Sequence, residues 1–265
     1  MDTLVPASNT NEHPVTITRV ADTQWHALED DLVVGRGHAA RRPDGRTFLG
    51  IDVWHDTVFD QLVDVMLADL PKPLHTIVDD GDDEAMSHWT RAGFAPGRRE
   101  WEYLIPTDPR ITGLGLVRPP SGVTIVRAGE ADEAMLGTLD RAIRDEVEAT
   151  VGWRTMPAEV LPRPEGVTVL DPSKYAAAEE AGRYVGLVRL APVVRQPRIG
   201  LIAVLADHQR RGIARALLAH VLGSLHQARV GAASAEVDET NVAAMALFEG
   251  VGAERVAVNL ELVLR

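Results

Sequence analysis

Two stretches far apart in the chain share one spacing of residues, and this repeat limits the available folds more than any other feature. Asp82-x-x-Ala85-x-x-His88-Trp89-x-x-x-Gly93-Phe94 is in register with Asn241-x-x-Ala244-x-x-Leu247-Phe248-x-x-x-Gly252-Ala253. Asp and Asn accept hydrogen bonds from the free N–H groups at the start of a helix, and glycine ends one, so each stretch reads as a short capped helix. Upstream of the first, residues 46–53 read as a strand, 59–70 as a helix and 74–78 as a strand. Upstream of the second, residues 199–205 read as a strand, and 212–230 as a helix with Ile213, Ala216, Leu217, Val221, Leu222 and Leu225 on one face. Residues 233–237 are again strand-like, and 256–264 alternate as a closing strand. The same order of elements occurs twice.

Pro106, Pro109, Gly113, Gly115, Pro119, Pro120 and Gly122 crowd the stretch between the two halves, which predicts a linker over residues 106–121. It separates a unit of residues 1–105 from one of residues 122–265, each of ordinary domain size. Within the second unit, residues 123–127 read as a strand, 129–147 as a helix, and 184–190 as a strand that neighbours 199–205.

Charge narrows the function classes. The net charge of −12 argues against a nucleic-acid binder, which needs an excess of Lys and Arg. Residues 1–120 hold 11 Lys and Arg against 20 Asp and Glu, whereas residues 121–265 hold 16 against 19, so the second half has kept its cations. The chain has no cysteine, which excludes disulfides, thiolate metal sites and a cysteine nucleophile. No basic stretch followed by an apolar run opens the sequence, and no segment approaches the ~20 apolar residues of a membrane span, so the expectation is a cytoplasmic protein without membrane contact.

The segment that carries chemistry runs from Ile202 to Leu217, a strand that feeds through Asp207-His208-Gln209-Arg210-Arg211-Gly212 into a helix. The first turn of a helix has unpaired N–H donors and a partial positive charge, so such a turn can hold a pyrophosphate. Gly212 lets the backbone approach the phosphates, Ala214 keeps the wall low, and Arg210, Arg211 and Arg215 add cationic donors.

Gln209-x-x-Gly212-x-Ala214 resembles the cofactor signature of the GNAT acetyltransferase family, and the Asn241 stretch resembles that family's second motif. The resemblance covers about residues 122–265. It implies an α/β (α+β) fold of two GNAT-like domains, each a mixed, mostly antiparallel sheet flanked by helices, the first shortened and degenerate. It further implies acetyl-CoA as acyl donor, with no metal, and an amine of a small molecule or peptide as acceptor. Val204, Gln209, Arg210, Arg211, Gly212, Ile213, Ala214, Arg215 and Asn241 then bind the cofactor. Residues 146–157, with Glu148, Trp153, Arg154 and Met156, fall where the family places its acceptor-binding helix and loop.

The first half lacks this turn: Trp54-His55-Asp56-Thr57-Val58 contains no glycine, and its Asp56 repels phosphate. The sequence also departs from the family at the catalytic positions. Many members use a Glu on the strand before the turn as base and a Tyr on the last motif helix as acid. Here that strand has no acid, and Phe248 replaces the tyrosine. Glu236 and Asp238 are the nearest carboxylates in sequence and are the candidate bases, and His208 in the turn is a further one. The departures leave open a non-catalytic module that binds or senses acyl-CoA. The first half could also serve structurally, by covering a sheet edge or shaping one wall of the acceptor cleft.

Overall fold

The computed structural model describes residues 14–42, 45–150, 152, 170–191 and 196–265. The first half contains β1 (Thr16–Ala21), β2 (Gln24–Glu29), β3 (Leu32–Arg41), β4 (Thr47–Val53), α1 (Asp56–Asp69), β5 (Leu74–Asp79), α2 (Asp83–Arg91) and β6 (Ala95–Pro106). The short helix α3 (Pro109–Thr112) follows. The second half contains β7 (Val123–Val126), α4 (Glu133–Ala149), β8 (Tyr175–Glu180), β9 (Arg183–Ala191), β10 (Arg198–Val204), α5 (Ile213–Gln227), β11 (Ala232–Asp238), α6 (Val242–Glu249) and β12 (Glu254–Leu264).

The halves repeat one plan. Four antiparallel strands, interrupted in the second half by α4 after the first of them, lead to a helix, a fifth strand parallel to the fourth, a second helix and a last strand. The repeated motif is reproduced atom by atom at the second helix. Asp82 Oδ1 accepts the Ala85 N–H at 2.9 Å, and Asn241 Oδ1 accepts the Ala244 N–H at 3.1 Å. Gly93 and Gly252 end the two helices with φ of +88° and +77°, a conformation that glycine adopts without a Cβ clash. Trp89 and Phe248 are both buried.

The two sheets expected from the sequence are joined into one of 12 strands, in the order β1-β2-β3-β4-β5-β12-β6-β11-β10-β9-β8-β7. The last strand of each half is exchanged. β6 lies against β11 of the second half, β12 lies against β5 of the first, and the two exchanged strands pair with each other. The exchange leaves neither half with an open inner edge, because each fifth strand is paired by the other half's last strand.

Helices α1, α2, α5 and α6 cover one face of this sheet. Ala233, Ala235 and Val237 of β11 and Tyr103 and Ile105 of β6 pack with Ile213, Leu217, Leu218 and Phe248 in one core. A second core joins Leu62, Met66, Leu74 and Trp89 to Leu262 of the exchanged β12. Helix α4 covers the other face, where its Leu136, Leu139 and Ile143 meet Tyr175, Ala177 and Leu187. The Pro/Gly stretch is itself packed, with Thr112 and Leu114 buried and α3 and the turn after it in contact with α5. Among the described residues no helix is long and apolar enough to cross a membrane.

Glu261 on β12 fastens the exchange. Its carboxylate accepts from Arg46 Nη1 at 2.6 and 2.8 Å and lies 2.9 Å from His75 Nδ1. Burial pushes the Glu261 carboxyl up, but the hydrogen bond from His75 and the Arg46 charge outweigh it and hold the group below its ordinary 4.5. A depressed folded-state value means stability that is present above the unfolded value and lost as pH falls through the folded one. Glu261→Gln is therefore expected to cost about 3 kcal/mol near neutral pH, with the difference from the parent shrinking below pH 4.5. Urea unfolding of both proteins across that range checks it.

Candidate active site

β10 and β11 run parallel but share hydrogen-bonded register at one point only, Arg198↔Ser234. Each strand has seven residues, so beyond that point they diverge and leave a gap between Val204 on one side and Asp238 on the other. The chain leaves β10 through Leu205, whose N–H donates to Val185 at 3.0 Å, and passes through a 3₁₀ turn at Ala206–His208. Gln209 Nε2 then donates to the Val204 carbonyl at 3.0 Å and closes the turn.

Arg210 and Gly212 have positive φ, +60° and +88°, and Gly212 is the N-cap of α5. The first intrahelical bond into α5 is Ala216 N–H to the Gly212 carbonyl at 3.0 Å. The N–H groups of Ile213, Ala214 and Arg215 precede it and have no acceptor within the helix. No side chain caps them, and a Cβ built at Gly212 would meet nothing within 4 Å. Open space in front of free donors at a helix N-terminus suits an anion.

The three arginines differ from one another. The Arg211 guanidinium forks onto Glu180 at 2.5 and 2.9 Å and, with burial acting against it, holds that carboxyl below its usual range. His208 Nε2 lies 3.2 Å from the same Glu180 carboxylate. Arg215 Nη1 donates to the Gly250 carbonyl at 3.3 Å and ties α5 to the end of α6. Arg210 is exposed and makes no ion pair among the described residues. No local pattern marks Glu180, 31 residues upstream, as the partner of Arg211.

Glu236 and Asp238 lie on the sheet face opposite α5, because the alternate residues Ala235 and Val237 fill the core beneath that helix. Glu236 is partly exposed and meets Arg198 Nη1 at 2.9 Å. Asp238 is buried, lies 3.4 Å from Arg98 Nε, and accepts the Thr240 N–H at 2.9 Å. It thus shapes the turn that leads to Asn241. The Asn241 Oδ1 likewise serves as the helix cap.

Phe248 packs in the core with its ring 5.9 Å from that of Tyr103 on the exchanged β6. The Tyr103 hydroxyl donates to Glu249 Oε1 at 2.9 Å and accepts from Arg255 Nε at 3.0 Å. On the α4 side, Glu146 accepts the Ala206 N–H at 3.1 Å, so this helix reaches the first residue of the turn. A cleft of about 410 Å³ opens there, lined by Met135, Thr138, Leu139, Tyr184 and His208. Glu148 is exposed near the end of α4. Trp153, Arg154 and Met156 lie outside the described residues.

The matching place in the first half lacks the glycine turn. β4 passes straight into α1 with no glycine between, and Asp56 at the start of α1 lies 3.4 Å from His88 Nε2 of α2. That contact bridges the two helices whose counterparts, α5 and α6, flank the open turn.

Residues 141–253 match the model of the acetyltransferase (GNAT) family. The [ribosomal protein bS18]-alanine N-acetyltransferase of Escherichia coli (strain K12) is 45% identical over 51 residues, which are 19% of this chain. The chain spans about a third of the length of this curated relative, 34%. Among solved structures, a GCN5-related N-acetyltransferase from Sphaerobacter thermophilus superposes with a TM-score of 0.64 at 17% identity, covering 93% of this chain and 82% of that one. A tandem GNAT protein from the clavulanic acid biosynthesis pathway gives 0.65 at 13% identity, covering 91% and 82%. These likenesses place the fold of the whole chain.

Proposed function

We infer, on the premise that residues 141–253 are a domain of the GNAT acetyltransferase family, that the chain transfers an acetyl group from acetyl-CoA to an amine of a small molecule or peptide. The observation that carries this reading is the open turn at Gly212, with unpaired N–H donors beside the gap between β10 and β11. On this reading residues 122–265 hold the cofactor, residues 106–121 join the halves, and residues 1–105 are a degenerate counterpart.

Acetyl-CoA supplies a thioester, whose acyl carbon forms a bond to the amine nitrogen while the carbon–sulfur bond breaks and thiolate leaves. The N–H groups from Gly212 to Arg215 hold the pyrophosphate, and Arg210 adds charge. Val204, Gln209, Ile213, Ala214 and Asn241 build the walls of that path. Glu236, partly exposed at the gap, removes the proton that the acceptor ammonium must lose before its nitrogen can attack. Phe248 has no proton to give, so the thiolate takes its proton from water.

Calorimetric titration with acetyl-CoA, followed in the same sample by thiol release against a panel of amines, tests the reading. Binding with turnover is the expected result. Binding without turnover favours a sensor, for which Phe248 in place of an acid is the supporting feature. Absence of binding removes the site.

A further inference from the structure

We propose that Glu102, on the strand exchanged from the first half, recognises the acceptor and selects amines that carry a second positive charge. The inference rests on the reading of the second half as an acyltransfer site. Glu102 is in register with Glu236, and Glu100 with Asp238, across the β6–β11 pair. Since Tyr103, Ile105, Ala235 and Val237 fill the core under α5, alternation puts all four carboxylates on the opposite face. They form a block at the end of β11, where it parts from β10.

Carboxylates directly opposite each other on adjacent strands repel. Three of the four are answered by cations. Arg198 meets Glu236 at 2.9 Å, and Arg98 meets Glu100 and lies 3.4 Å from Asp238. Burial nevertheless raises the Glu100 carboxyl above its ordinary value, and Glu236 and Asp238 add to the rise against the Arg98 charge. The Glu102 side chain is partly buried and makes no hydrogen bond or ion pair with any described residue. It faces the base position without a cation.

A ligand that brings that cation relieves the repulsion. Side chains in register stand about 5 Å apart at Cβ, so an ammonium held by Glu102 places a second amine, a few carbons away, beside Glu236. The occupant is thus a di- or polyamine, or a peptide with a basic group next to its acceptor amine. The first half, which lacks the glycine turn itself, thereby serves the cleft of the second.

The full-length chain loaded with coenzyme A is titrated with 1,4-diaminobutane and with butylamine. The parent is expected to bind the diamine about tenfold more tightly. Glu102→Gln should abolish that preference with acetyl-CoA binding unchanged, and Glu102→Asp, which keeps the charge, should retain part of it. Should the Gln variant fail to fold, Glu102→Thr, a strand-favouring residue, takes its place. Equal affinities in the parent, or a preference that survives in the uncharged variant, overturn the inference and leave the cofactor site standing. No binding of coenzyme A or acetyl-CoA overturns both.

Discussion

Replacing Gly212 with valine is expected to weaken acetyl-CoA binding by about 100-fold or more while the protein stays folded. Two separate effects follow from one Cβ. The backbone at Gly212 has φ +88°, which an L-residue adopts only at a cost of about 1–2 kcal/mol. Nothing lies within 4 Å of the new Cβ, so the Cβ itself meets no protein atom and the main cost to the fold is that strain. On the proposed reading the side chain enters the space that the pyrophosphate occupies in front of the N–H groups of Ile213, Ala214 and Arg215. Stability and binding should therefore separate. Thermal melting is expected to report a modest loss, and calorimetry a loss of binding. A folded Gly212→Val variant that binds acetyl-CoA as the parent does would remove the turn from the mechanism.

The turn was legible in the sequence because its physics is local. A strand, a glycine that must take positive φ and a helix start all fall within a dozen residues, and the Asn241 cap and Gly252 stop are equally local. The repeat around Asp82 was readable for the same reason, down to the capping bond. What the sequence hid is non-local. The β6 segment shows its alternation plainly, with Glu100 and Glu102 against Trp101, Tyr103 and Ile105, yet nothing in it says that it pairs with β11, more than 120 residues away, and leaves β5 to β12. Pairing partners are chosen by the closure of the whole sheet. β1 was silent for another reason, since most of its residues are exposed and it carries no apolar stripe. The forked contact of Arg211 with Glu180 and that of Glu146 with the Ala206 N–H also join elements that meet only in the fold.

The exchange changes how the two halves relate. A sheet built from the second half alone would end at β11 and have an open strand edge beside Glu236, the base proposed above. β6 closes that edge and brings Glu100, Glu102 and Arg98 to it, while β12 places Glu261 against Arg46 and His75 in the first half. Residues from the first half therefore stand beside Glu236 and Asp238 although that half has no glycine turn of its own.

Glu236→Gln is expected to lower kcat by about 10² to 10⁴ with acetyl-CoA affinity unchanged. On the proposed function the acceptor is an amine that is protonated in neutral solution, and only its lone pair can attack, so a base must take the proton at the gap between β10 and β11. Among the candidates, Asp238 is buried and shapes the turn to Asn241, and His208 is engaged with Glu180 at 3.2 Å on the far side of the turn. Glu236 is partly exposed, stands on the face opposite α5, and has Arg198 at 2.9 Å. Gln preserves the shape and a hydrogen bond to Arg198 but cannot accept the proton. Because the proposed pyrophosphate contacts are the N–H groups at the start of α5, on the other face of the sheet from Glu236, calorimetry should find the cofactor bound as before. Thiol release should fall when measured with saturating acceptor. Unchanged turnover in a folded Glu236→Gln variant would move the base to a residue elsewhere in the cleft, and a parallel loss of acetyl-CoA binding would make Glu236 part of the cofactor site instead.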